Sequence, residues 1–78
     1  MAEISFPLSN LPIGSKAKVI DLNSDSPLKR RLLDLGLTRD TVVEAVQKSP
    51  AGDPIAYLVR GAVIALRSED ASNVLLSM

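Results

Sequence analysis

The sequence predicts a small, mainly β domain: a partly open barrel of about five short strands, with one short α-helix inserted after the first. Three observations predict it. Stretches rich in β-branched residues recur along the chain, turns containing Gly and Pro separate them, and a single leucine repeat of helical period interrupts the series. With 78 residues there is room for one domain and one core, spanning 1–78. The apolar share of 46% sets the chain apart from disordered sequences.

Residues Met1 to Leu8 show no clean period and are punctuated by Pro7. Leu8 to Leu11 is expected to make one short turn, and Pro12-Ile13-Gly14 a tight turn that feeds a strand. Lys16 to Leu22 begins with Lys outward and Ala or Val inward, then turns apolar on both faces, which reads as a strand. Asn23-Ser24-Asp25-Ser26 is a cluster of capping residues, and Pro27 follows where the first helical turn tolerates it best, so a helix starts here. Leu28, Leu32 and Leu35 repeat at i, i+4 and i+7, and Leu33 widens the stripe. Gly36 then sits where a left-handed C′ residue is wanted, with Leu37 folding back on Leu32 or Leu33. A helix of about nine residues cannot stand alone in water, so its stripe must dock.

Arg39-Asp40 makes a turn, and Asp is the residue of the pair better able to accept a left-handed conformation. Thr41 to Gln47 is rich in β-branched residues and reads as the second strand. Pro50-Ala51-Gly52-Asp53-Pro54 is a stiff connecting loop. Ile55 to Val59 and Val63 to Arg67 are expected to form a hairpin with its turn at Arg60-Gly61-Ala62. Ser68 to Ala71 has the composition of a single helical turn, Ser at the cap and two acids after it, and Val74 to Leu76 closes the chain as a strand. At this length the best match is the class of SH3-like barrels.

Composition narrows function by absence. The chain has no His, no Cys and no Trp. It therefore cannot build a thiolate or imidazole zinc site, an iron–sulfur site, a haem ligand set or a Ser–His–Asp triad, and it is read as a non-enzyme without cofactors. Nine Lys and Arg balance nine Asp and Glu, leaving none of the positive surplus that a nucleic-acid binder uses against phosphate. Apolar runs such as Ala62 to Leu66 fall far below the roughly 20 residues of a membrane span, so the chain is expected to be cytoplasmic, with no direct membrane insertion.

Three runs carry a family likeness: Arg30-Arg31-Leu32-Leu33-Asp34-Leu35-Gly36-Leu37, then Ser49-Pro50-Ala51-Gly52-Asp53-Pro54, then Gly61-Ala62-Val63-Ile64-Ala65-Leu66-Arg67. In that order and spacing they resemble FeoA, the small cytosolic component of bacterial ferrous iron uptake, over roughly Leu11 to Leu76. The resemblance implies an SH3-like barrel that acts in iron homeostasis through protein–protein interaction with the cytosolic GTP-binding part of FeoB, the membrane permease. The alternative it raises is a stand-alone effector domain like the C-terminal SH3-like domain of DtxR-type iron-dependent repressors; Met1 opening the chain favours the free-standing form. The family usually has Gly, often Pro-Gly, after the helix, where this chain has Arg39-Asp40.

The expected partner-binding residues are Leu28, Arg30, Arg31, Leu33, Leu35, Leu37 and Asp53. A nine-residue helix buries about three or four of its five leucines, which leaves Leu28 or Leu33, at opposite edges of the stripe, for a partner. Arg30 and Arg31 would meet an acidic patch, or pair with Asp34 along the helix. Asp53 is a turn residue by its place before Pro54, and otherwise an oxygen ligand with Asp21, Asp25 or Asp40. With only carboxylates to offer, and no paired-carboxylate motif beyond Glu69-Asp70, no specific iron site is expected. Exposed leucines would also favour self-association.

Overall fold

The computed structural model describes residues 5–23 and 26–77. Its elements are β1 (Ser5–Pro7), a 3₁₀ turn (Leu8–Asn10), β2 (Lys16–Leu22), α1 (Ser26–Asp34), β3 (Val42–Lys48), β4 (Ile55–Val59), β5 (Ala62–Leu66), α2 (Ser68–Ala71) and β6 (Val74–Ser77). The strands form one antiparallel sheet in the order β1-β6-β2-β3-β4-β5. It curls around the core in the manner of a barrel without closing. The expected elements are present within a residue or two of their bounds. The capping cluster before α1 cannot be compared, because Ser24 and Asp25 lie outside the described residues.

The sixth strand is β1, which pairs Ser5, Phe6 and Pro7 with Ser77, Leu76 and Leu75 of β6. Three residues ending in proline carry no alternation to read. It is a strand because β6 offers a ladder, and proline is tolerated there because β1 lies at the sheet edge.

Alternation places the core. Ile55, Tyr57 and Val59 of β4 and Val43 and Ala45 of β3 point inward and are buried. In β2 the register shifts between Val19 and Asp21. That irregularity lets both Val19 and Leu22 reach the core across an odd spacing, and it accounts for the loss of alternation in this strand. A second shift in β3, between Ala45 and Gln47, ends the alternation there, so that Gln47 is exposed as well as Val46.

The helix ends as its residues dictate. Gly36 adopts φ 99°, its N–H donates to the Leu33 carbonyl at 2.9 Å, and the Leu37 N–H donates to the Leu32 carbonyl at 3.1 Å. This is the Schellman pattern, and Leu32 and Leu37 are both fully buried in the core. A Cβ on Gly36 would lie 3.3 Å from Val59 Cγ1, so glycine also allows the helix end to close onto β4. The next turn is closed by the Thr41 N–H donating to the Thr38 carbonyl at 3.1 Å, with Asp40 left-handed at φ 71°. An acidic side chain thus takes the conformation for which glycine is the usual choice.

Candidate interaction surface

The described residues form no cluster of three acidic side chains able to hold a metal ion. The surface features worth building are therefore on α1 and its surroundings. On the inner side of the helix Leu32 is fully buried, and Leu28 and Leu35 are half-buried against the same core. On the outer side Leu33 is 39% exposed and Arg30 is exposed. Leu33 borders a shallow groove of about 150 Å³ between α1 and β2, lined also by Ile20, Asp21, Lys29 and Arg39. Its lining is apolar with Lys29, Arg39 and the single carboxylate Asp21 around it, which suits an apolar side chain with acidic groups placed toward Lys29 and Arg39.

The expected partner residues do not form one patch. Arg30 and Leu33 share the outer face of α1. Leu37 belongs to the core, and complete burial removes it from any surface. Arg31 does not pair with Asp34 along the helix; its Nη2 donates to Asp70 Oδ2 at 2.8 Å, tying α1 to α2. Asp53 is occupied as well. Its Oδ1 accepts the Ser68 N–H at 2.8 Å and its Oδ2 lies 3.7 Å from Arg67 Nη1. Asp53, brought in from the loop before β4, thereby caps α2 in place of Ser68, which is the first helical residue.

Three contributions escape a linear reading. Lys29 shares the face of Leu33 at i, i+4, a signal the leucine stripe obscures. Ile20 and Arg39 come from separate elements and have no such signal. Arg60 is the third. It takes φ 51° in the hairpin turn, and its Nη2 donates to Thr38 Oγ1 at 2.8 Å and to Thr41 Oγ1 at 3.3 Å. The β4–β5 hairpin is thereby clipped over the turn that follows α1. Beneath the sheet, the Tyr57 hydroxyl is buried without a hydrogen-bond partner among the described residues. Burial pushes its pKa up from 10.0, and the negative charge of Asp53 adds to the shift.

No helix among the described residues is long and apolar enough to cross a membrane. The profile of the FeoA domain family matches residues 6–78. A curated relative, the Fe(2+) transport protein A/Fe(2+) transporter FeoB fusion protein of Porphyromonas gingivalis, is 28% identical over 67 residues, which are 86% of this chain and 8% of that protein. The chain thus spans under a tenth of the relative it matches. Among solved structures, the FeoA-like protein of Clostridium acetobutylicum superposes with a TM-score of 0.87 at 36% identity, covering 97% of this chain and 87% of that one. FeoA of Stenotrophomonas maltophilia, a prokaryotic SH3 domain protein complexed with zinc, gives 0.77 at 33% identity, covering 91% and 88%. A manganese-dependent transcriptional repressor gives 0.86 over 99% of this chain and 43% of its own, at 15% identity, a likeness of fold alone.

Proposed function

This chain belongs to the FeoA family, and on that premise we propose that it is a non-enzymatic accessory subunit of ferrous iron uptake, docking on the cytosolic GTP-binding part of an FeoB-type permease through the outer face of α1. The observation that carries the reading is Leu33. A short helix whose other leucines are buried or half-buried keeps one leucine 39% exposed beside a groove edged by Lys29 and Arg39. An apolar knob flanked by two cations and one carboxylate, Asp21, fits a partner surface that is apolar at its centre and mainly acidic where it meets Lys29 and Arg39. The fusion protein of P. gingivalis, by its name, joins FeoA and FeoB parts in one chain, which supports association of the two when they are separate. Without imidazole or thiolate ligands, the subunit acts on the permease and not on the metal.

Binding to purified FeoB in lipid nanodiscs tests this. Leu33→Ala and Arg30→Glu are expected to weaken binding by about tenfold or more each, equivalent to about 1.4 kcal/mol, with unchanged thermal unfolding of the free protein. Wild-type binding by both variants would remove α1 as the docking face. Transport and GTP hydrolysis by FeoB, with and without the protein, then identify which step it affects.

A further inference from the structure

We propose that the open edge of β5 is a self-pairing site, at which two copies of this chain join their Ala62–Leu66 strands antiparallel about a two-fold axis. Among the described residues β5 has one neighbour in the sheet, β4. The two strands are linked by the two-residue turn Arg60-Gly61, both residues having positive φ (51° and 83°), so the flanking pair Val59–Ala62 is hydrogen-bonded. Antiparallel ladders alternate, which makes Tyr57–Ile64 and Ile55–Leu66 the next bonded pairs. Val63 and Ala65 therefore aim their N–H and C=O groups away from β4. They are the template for another strand.

Sheet edges are ordinarily guarded by charge, proline, a bulge or shortness. β5 has none of the first three: its sequence is Ala-Val-Ile-Ala-Leu, and its ladder with β4 runs through five successive pairs without a shift. Val63 is 64% exposed. Across the outer face the row Lys16, Glu44, Leu58, Val63 passes from charged to apolar as it approaches this edge. The opposite edge differs. Among the described residues β1 has three residues and ends in Pro7, which has no N–H to donate, so β1–β5 pairing into an open chain of copies is the poorer match.

A second copy is the occupant that these features fit. With Ile64 on the axis, Val63 of one copy faces Ala65 of the other, and both residues use their free backbone groups. The outer-face row then continues as Leu58, Val63, Ala65 and Ala56, the last two from the second copy, with no charge between them. Arg67 falls opposite Gly61, so no like charges meet. The chain carries nine positive and nine negative groups, and copies approach without net repulsion. This edge shares no residue with the α1 surface, so pairing here and docking there stand or fall separately.

Sedimentation equilibrium of the intact protein over a concentration series is the test, together with amide hydrogen exchange at Val63 and Ala65. The expected result is a dimer in which these two amides become protected as the concentration rises. Ala65→Pro removes an outward N–H that β4 does not use, and Val63→Lys places a charge in the shared apolar row. Each is expected to weaken dimerisation by about tenfold or more, with the monomer still folded; Val63→Lys remains informative if the proline variant fails to fold. A monomer up to about 1 mM, or a dimer in which Val63 and Ala65 exchange freely, would overturn the proposal.

Discussion

Leu32 and Leu33 are neighbours in one helix and have opposite fates. Leu32 is fully buried, and its carbonyl accepts the bond that ends the helix, while Leu33 stands 39% exposed beside the α1–β2 groove. Arg30 and Arg31 divide in the same way, one exposed and without an ion-pair partner among the described residues, the other held by Asp70. A step of one residue turns the side chain by roughly 100° around the helix axis. On a nine-residue helix laid over a small barrel, that step separates what the fold requires from what a partner is able to touch.

The inner face of α1 carries the largest expected effect. Leu37→Ala empties a fully buried position, and a loss of about 2–5 kcal/mol is expected in urea unfolding. For a domain of this size each kilocalorie corresponds to roughly 4–8 °C in Tm. A loss below about 0.5 kcal/mol would mean that α1 is not anchored by its C-terminal leucines. Next in size is Gly36→Ala. A left-handed alanine costs about 1–2 kcal/mol, and its Cβ would also press on Val59 Cγ1 at 3.3 Å, so thermal unfolding should fall by several degrees.

On the sheet side of the core the fully buried Tyr57 makes stability depend on pH. Its pKa is raised above 10.0 in the folded protein, so the folded state keeps its proton where the unfolded chain gives it up. The associated stability is fully present below pH 10.0 and is lost as pH rises through the folded value. Denaturation measured between neutral pH and the alkaline range should show that decline in the wild type and a flatter profile in Tyr57→Phe. At neutral pH the Phe variant is expected to be as stable or slightly more so, since the hydroxyl it removes has no partner. The smallest effect belongs to the outer face. Arg31→Ala breaks an exposed ion pair worth about 0.2–1 kcal/mol, and the difference from wild type should shrink in high salt. A larger, salt-independent loss would place Arg31 with the structural residues.

Much of the fold was legible because its signals are local. Pro27 and the leucine spacing define α1, Gly36 stops it, Gly61 marks the hairpin, and β-branched runs mark β3 and β4. What was missed is non-local. β1 exists because β6 pairs with it. Asp70 displaces Asp34 as the partner of Arg31 across 39 positions of sequence, and Asp53 reaches Ser68 across 15 to supply the cap of α2. Of the residues expected to meet a partner, Arg30 and Leu33 are exposed on α1, where helical spacing puts them. Leu37 is buried and Asp53 is engaged by Ser68 and Arg67, because which side of a turn faces the core depends on what packs above it.

By itself, then, the sequence determined every element but β1, the SH3-like class, and the absence of thiolate and imidazole ligands, each from composition or from periods a few residues long. The family likeness rests instead on the resemblance of three motif runs. Only the tertiary structure decided which leucine stays exposed, which arginine pairs with Asp70, and that β5 has a single neighbouring strand among the described residues. Those outcomes are set by pairing and burial between distant segments, and free surface is what such packing leaves over.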